Sequence, residues 1–292
     1  MANSKNSSKI LLEFYRYQIL PIDRSQGGLF DESPAELIAN KNKYFLEALL
    51  NLSQITMDEE NVIDSYKLKL EYPQDTVNNN NLFVFRLAKQ RTLPYDTPQF
   101  KQTPLASWPW VYLIVWNDAD RQVIAIQHKR KVSEQTKSLI NWLEKQVNKS
   151  LEPKNLNLHI KSIFDEQDFW DIVEKNQIQK VTFKLITPNM ANISSALSDD
   201  MKKLAKSTNT QQSTVELTAY SDSVLELERD NSSVSDLVNY SSQGGGSISV
   251  KIKGIATRRT TSRSAKKTVI EEMEIQSYSC EDIINTIKSV ID

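Results

Sequence analysis

Apolar and polar side chains alternate over residues 10–22, and this pattern predicts a β-strand. The next pattern is helical. Ser33-Pro34-Ala35-Glu36 has the form of a capped helix start, and apolar residues then recur at helical spacing to residue 52. Alternation returns at 66–70 and 82–87 and predicts two more strands. Residues 88–107 carry three prolines and no clear period, so they are predicted to form a long loop.

An almost wholly apolar run at 110–116 predicts a central strand that is buried on both faces. The remaining elements predicted before residue 179 are a turn at 117–120, a hairpin partner at 123–127, a helix capped by Ser133, a strand at 156–161 and a helix at 165–176. Residues 1–178 are therefore predicted to form a β-rich α+β unit with two or three helices.

The second half of the chain, residues 179–292, has a different element order. Its predicted elements are strands at 181–185, 215–219, 225–227 and 248–252, with helices near 197–205 and 232–238. This β-α-β-β-α-β order is that of a ferredoxin-like unit. Gly244 lies where a left-handed helix stop is expected. A basic loop, a strand at 268–276 and a helix at 280–291 complete the unit, and the predicted fold class is α+β.

Composition narrows the classes of function. The chain has 292 residues, of which 39% are hydrophobic and 25% charged, as in globular proteins. A net charge of -1 excludes a globally basic nucleic-acid binder but not a local basic patch. Cys280 is the sole cysteine, so no disulfide scaffold forms, and no apolar run approaches the roughly 18 residues of a membrane span. A cytoplasmic protein that does not contact the membrane is predicted.

Most enzyme chemistry has no signature in the sequence. Phosphate-binding loops, dinucleotide fingerprints and nucleophile elbows are absent, and His128 and His159 with one cysteine do not make a common zinc site. We therefore predict no cofactor and no resident metal.

One arrangement keeps an enzymatic alternative open. Asp118 and Asp120 follow the apolar strand, and Gln127-His128-Lys129 ends the next one. This resembles the pattern of PD-(D/E)xK nucleases, in which two acids hold a metal beside a lysine. Gln127 stands where the second acid would be, a departure from the pattern that weakens metal binding. Local turn chemistry alone explains both aspartates and is the favoured interpretation.

Basic residues concentrate near the end of the chain. The predicted nucleic-acid-binding set is Lys251, Lys253, Arg258, Arg259, Arg263, Lys266 and Lys267. A secondary basic patch is formed by Lys129, Arg130 and Lys131. Lysine and arginine favour phosphates because neutralising a phosphate releases condensed counterions. The alternative is a solvated loop whose charges serve solubility.

The outward positions predicted for the ferredoxin-like sheet are polar. They are Thr182, Lys184, Thr214, Glu216 and Lys251. Because none is aromatic, base stacking on this sheet is not expected, and contact with a nucleic acid would be to its backbone.

A family resemblance rests on Val181-Thr182-Phe183-Lys184, Leu237-Val238-Asn239-Tyr240 and Gly244-Gly245-Gly246. In element order this part of the chain resembles small bacterial and phage proteins of the defence or phage-exclusion type, such as lambda RexA. The resemblance implies antiviral defence and DNA binding without catalysis, but it carries over no functional residue.

Three hypotheses follow from these patterns. The first is a non-catalytic, oligomeric protein that binds nucleic-acid backbone through the basic 251–267 face. The second is a metal-dependent nuclease that uses Asp118 or Asp120 with Lys129. The third is a subunit of a defence complex that binds only protein partners.

Overall fold

A computed structural model describes residues 8–22, 33–58, 63–72, 81–187, 199–208, 210–220, 223–261, 264–277 and 279–291. It confirms the α+β class and the β-rich amino-terminal half. Within these ranges, no helix has the length and apolar character needed to cross a membrane.

The first sheet has seven antiparallel strands. They are β1 Lys9–Pro21, β2 Tyr66–Tyr72, β3 Leu82–Lys89, β6 Trp110–Asn117, β7 Gln122–Gln127, β8 Leu156–Ser162 and β13 Lys267–Glu271. The order is β13-β1-β7-β6-β3-β2, with β8 also paired to β1. β1 is long enough to pair with β13 through residues 9–13 and with β8 through residues 15–21 along the same edge. It therefore connects strands that lie far apart in sequence.

Both faces of this sheet are buried, as the apolar run at 110–116 predicted. The helices α1 Pro34–Met57 and α2 Thr136–Leu151 pack on one face. On the other face lies α7 Cys280–Ile291, whose Ile283, Ile284 and Ile287 join one core cluster with the sheet. Ser33 caps α1 in the predicted capping box with Glu36.

Residues 91–107 form a hairpin, and the prediction of a long loop was wrong. β4 Arg91–Asp96 and β5 Gln102–Ser107 pair only with each other. Pro94 and Pro104 lie directly opposite one another, which the hairpin tolerates because both of its strands are edges. The apolar residues of these strands face solvent, so the core pattern that identifies strands was missing.

The second sheet has the order β10-β9-β11-β12 and is antiparallel. Its strands are β9 Ile178–Ile186, β10 Gln212–Thr218, β11 Gly246–Ile252 and β12 Arg259–Thr260. The helices α3 Glu166–Lys175 and α5 Ser232–Tyr240 contribute to its core cluster, and α4 Asp199–Ser207 connects β9 to β10.

The connectivity differs from a ferredoxin-like unit. Residues 225–227 form no strand, although Leu225 and Leu227 still pack on the core and the Leu225 amide donates to the Ile178 carbonyl at 2.7 Å. β9 and β10 are direct antiparallel neighbours, whereas a split βαβ unit separates its first two strands.

The carboxy-terminal segment does not stay with the second sheet. The predicted strand at 268–276 ends at residue 271, and the short helix α6 Glu272–Gln276 follows it. Since β13 pairs with β1 and α7 packs on the first sheet, the division at residue 178 does not describe the end of the chain. Residues 265–291 instead complete the first sheet and its core.

Candidate functional site

The second sheet has one covered face and one polar face. Val181, Phe183 and Val250 point into the core with α3 and α5. The alternate side chains make up what we call the open face, namely Lys180, Thr182, Lys184, Thr214, Glu216, Ser247, Ser249, Lys251 and Thr260. Except for buried Thr182, these side chains are exposed or half-buried.

The register sets the lysines of the open face within a field of hydroxyls. Lys180 lies opposite Lys251, Thr182 opposite Ser249 and Lys184 opposite Ser247. Neighbouring strands are about 4.8 Å apart, so these groups form a continuous polar surface. The outward placement of Thr182, Lys184, Thr214, Glu216 and Lys251 agrees with the alternation in the sequence.

The open face carries excess positive charge. Its one acid among the described residues, Glu216, lies 2.5 Å from Lys180. The hydrogen bond from Lys180 lowers the pKa of Glu216, and the charge of Arg258 lowers it further. Arg258 therefore lies within electrostatic range of this face. Lys184 and Lys251 add two further cations, which gives the surface a net positive field.

The helical side of the same unit has the opposite charge. α3 contributes four acids against one base, namely Glu166, Asp168, Asp171 and Glu174 against Lys175. Mutual repulsion is visible at Asp168, whose pKa is raised by burial and by the neighbouring Asp165 and Asp171. Asp171 pairs with Lys175 at 2.6 Å and Glu174 with Arg229 at 3.4 Å, so the charge that remains on this side is negative but smaller than the count of acids. A polyanion would be attracted to the open face and repelled from the helices.

The basic residues predicted at 251–267 do not form one surface. Lys251 lies on the open face, and Lys253, Arg258 and Arg259 are exposed beside it. Arg263 lies outside the described residues.

Lys266 and Lys267 belong to the first sheet. Lys266 Nζ donates to the Val290 carbonyl at 3.1 Å. Lys267 Nζ lies 3.2 Å from the carboxylate of Glu13. The predicted grouping of these two lysines with the binding set was therefore wrong, because the chain crosses from β12 to β13 between them and Arg259.

The secondary patch is partly engaged in local contacts. Lys129 Nζ donates to the Trp110 carbonyl at 3.3 Å and lies 5.0 Å from the centre of the Trp110 ring. Arg130 and Lys131 are exposed in the turn before α2. Lys129 thus packs against β6, and only its two neighbours extend into solvent.

The nuclease residues are not brought together. Asp118 and Asp120 precede β7 and Lys129 follows it, so the strand separates them by roughly 20 Å at about 3.3 Å per residue. The Asp118 carboxylate accepts the Asp120 amide at 3.0 Å, which is the local turn contact weighed above. Gln127 accepts the Tyr112 amide at 3.2 Å. The described part of the chain contains no group of three His, Cys, Asp or Glu side chains able to hold a metal.

A cleft extends the open face toward the first sheet. Lys137, Asn141 and Lys161 line it together with Ser247. Glu144 lies near the two lysines, and burial raises its pKa while their charges oppose that rise. Sequence reasoning missed Lys161 as well as Lys180, although the alternation of β8 and β9 places both on polar faces.

His159, two residues before Lys161, gives a pH-dependent prediction. Burial, reinforced by the charge of Lys161, lowers the pKa of His159 to about 4. Its usual value is about 6.5, so the unfolded chain binds the proton more tightly and folding stability falls as pH drops from 6.5 toward 4. When the pH is lowered from about 7.5 to about 5, protonation of His159 should reduce the free energy of unfolding by about 2 kcal/mol.

The variant His159→Gln should lose most of that pH dependence. Urea unfolding of both proteins at the two pH values measures this change in the free energy of unfolding. All other titratable groups contribute equally to the pH dependence of the two proteins. An equal loss of stability in both proteins would show that His159 is not its source.

A second polar cluster surrounds the buried carboxylate of Glu13. Thr136 donates to it, His128 Nδ1 lies 3.0 Å away, and Lys267 Nζ lies 3.2 Å away. Tyr15, whose pKa is raised mainly by burial, hydrogen-bonds Thr136 at 2.8 Å. The cluster joins β1, the end of β7, the start of α2 and β13. Sequence reasoning missed it because Glu13 lies in an apolar run.

Taken together, these features define an α+β protein with a covered first sheet and a one-sided, basic second sheet. Residues 118–291 match a family model described as a domain of unknown function, DUF4747, and the chain belongs to this family. The matched region includes the whole second sheet and the helices α3, α4 and α5. No curated protein matches the chain.

Proposed function

We propose that this protein is a non-catalytic binder of nucleic-acid backbone and that the open face is its binding surface. The observation that carries the proposal is the charge polarity of the second unit. Lys180, Lys184 and Lys251 lie among hydroxyls on the open face, while acids populate α3 behind the sheet. The contact is with phosphates, since lysines release condensed counterions and Ser or Thr hydroxyls hydrogen-bond phosphate oxygens.

The chemistry of the open face favours backbone contact over base recognition. None of its described residues is aromatic, and base stacking in single-strand binders relies on aromatic side chains. Binding should therefore depend weakly on sequence and strongly on salt. Resemblance to phage-exclusion proteins supports a role in cytoplasmic antiviral defence.

The binding test uses fluorescently labelled single- and double-stranded DNA and RNA of mixed sequence. The double variant Lys184→Ala, Lys251→Ala should bind roughly tenfold more weakly at about 50 mM salt, because two phosphate contacts are lost. Fluorescence anisotropy measures the affinities. The four probes also establish which nucleic acid is preferred.

A matched control removes the same charge elsewhere. Lys43 is exposed on α1, and Lys145 is exposed on α2, where its ammonium lies 3.9 Å from Asp64; neither belongs to the open face or lines the cleft beside it. The variant Lys43→Ala, Lys145→Ala should bind as tightly as the natural protein. Equal weakening in both double variants would point to net charge alone, and absence of binding at low salt would refute the proposal.

The two alternative functions, a nuclease and a protein-interaction subunit, are supported to different degrees by the structure. A nuclease based on Asp118, Asp120 and Lys129 has no assembled site among the described residues. Asp118→Ala, Asp120→Ala would still test it, through loss of any divalent-metal-dependent cleavage. A protein-interaction subunit is favoured by one specific observation, the exposed apolar hairpin at 91–107.

A further inference from the structure

The hairpin β4–β5, hereafter the arm, exposes large apolar side chains. Leu93 and Leu105 face each other across the strands and are 50% and 55% exposed. Tyr95 lies on the same face and is 54% exposed, and Phe100 at the tip is 98% exposed. Two-stranded hairpins that pack on nothing are at best marginally stable in water. The arm therefore has an apolar surface that its own chain leaves in solvent.

The tip turn holds Phe100 in an unfavourable backbone conformation. Its φ is +56°, in the left-handed region that bulky side chains avoid. Hydrogen bonds from the Phe100 amide to Thr97 and from the Thr97 amide to Lys101, each 2.9 Å long, close the turn. Glycine or asparagine would suit this position better, so within the monomer the exposed ring brings only a cost.

The strand edges of the arm are poorly suited to extending another sheet. Pro94 and Pro104, at opposed positions, have no backbone N–H to donate. Addition of a further strand needs a row of donors and acceptors along the edge. Contact with a partner should therefore be made by the side chains of the arm.

A groove at the other end of the first sheet has matching chemistry. Trp116 and Ile284, which are 6% and 7% exposed, form its small apolar floor, and Asp118 and Glu281 contribute negative charge. Lys288 also lines it, with its ammonium 5.9 Å from the centre of the Trp116 ring. An aromatic ring followed by a lysine, as in Phe100-Lys101, complements an apolar floor whose rim carries two acids and one lysine.

The fold keeps the arm and the groove of one chain apart. β3 and β6 pair from Leu82 with Trp116, beside the groove, to Ala88 with Trp110, beside the base of the arm. These ends are roughly 20 Å apart at about 3.3 Å per residue. If two copies were related by a two-fold axis that sets these strands antiparallel, each arm end would meet the groove end of the other copy. Both contacts would then form at once, and the assembly would close.

We propose that the protein forms a two-fold dimer in which the arm of each copy inserts Phe100 into the Trp116–Ile284 groove of the other. In this dimer Lys101 faces Glu281. The occupant of the groove is thus a second copy of this chain. This surface lies on the first sheet and is independent of the nucleic-acid contact proposed for the second.

Sedimentation velocity over a range of protein concentrations tests the dimer. The natural chain should sediment as a dimer and Phe100→Gly as a monomer, because the ring is lost while the turn keeps a residue suited to positive φ. At low protein concentration the Tm of Phe100→Gly should equal or exceed that of the natural chain. Loss of the dimer would then not be due to misfolding of the variant.

A charge exchange tests which groups meet. Lys101→Glu and Glu281→Lys should each weaken the dimer about tenfold, because the two-fold axis repeats the lost ion pair, and the combination should restore it. Lys145→Glu, which makes the same change of charge at an exposed position of α2, should have no effect. A natural chain that stays monomeric overturns the proposal, as does a dimer that survives Phe100→Gly. Failure of the charge exchange to restore the dimer overturns the Lys101–Glu281 contact and with it the docking described here.

Discussion

Gly244→Ala is expected to destabilise the protein by about 3 kcal/mol, from overpacking together with a left-handed backbone. Gly244 has a φ of +83°, and a Cβ there would lie closer than 3.0 Å to the Cβ of Arg16 on β1. Arg16 is 4% exposed and its Nε donates to the Gln243 carbonyl at 2.6 Å, so it has little room to move. Urea unfolding measures the loss.

Gly254→Ala provides the matched control. Its φ of +77° imposes the same backbone strain, but a Cβ there would meet nothing within 4 Å. We expect a loss of about 1 kcal/mol, from the backbone alone. Equal losses at the two glycines would mean that Gly244 is not held against β1.

Glu13→Ala should also cost about 3 kcal/mol, because it removes the acceptor of a buried charged cluster. His128, Thr136 and Lys267 all direct polar atoms at this carboxylate. Lys267 is 45% exposed on its side chain and recovers part of its hydration, which keeps the expected loss at the low end for buried pairs.

Glu134→Ala is the control for the Glu13 variant. Glu134 lines a pocket together with Glu13, His128 and Lys267 but is exposed, so its loss should change the free energy of unfolding by less than about 0.5 kcal/mol. The two variants should also differ in hydrogen exchange at β13, since Glu13 holds that strand through Lys267. Unchanged protection of β13 in Glu13→Ala would argue against this role.

The elements that were predicted correctly are those whose sequence pattern is contained within a few neighbouring residues. The capping box of Ser33 and Glu36, the apolar run of β6 and the alternation of β9 and β11 each lie within a few residues. The arm was missed because its apolar residues contact no core. The pairing of β13 with β1 was missed because it joins opposite ends of the chain, and no local pattern encodes it.

The residues of the candidate site also divide into those that a local pattern predicts and those that depend on long-range contacts. Alternation was enough to predict that Lys184 and Lys251 point outward. Nearness in sequence wrongly grouped Lys266 and Lys267 with them, since a run of charges does not specify a common surface once the chain crosses between sheets. Glu13 depends on tertiary contacts and could not be identified from periodicity, whereas the alternation of β8 did place Lys161 on a polar face.

The most direct test of binding through the open face is the salt dependence of nucleic-acid affinity. The logarithm of the affinity should fall linearly with the logarithm of salt concentration between about 50 and 200 mM. Lys184→Ala, Lys251→Ala should reduce that slope by about 2 on duplex DNA, or about 1.5 on a single strand, one phosphate for each lysine. The Lys43→Ala, Lys145→Ala control should keep the slope of the natural protein. If the slope of the Lys184, Lys251 variant is also unchanged, the open face does not contact phosphates.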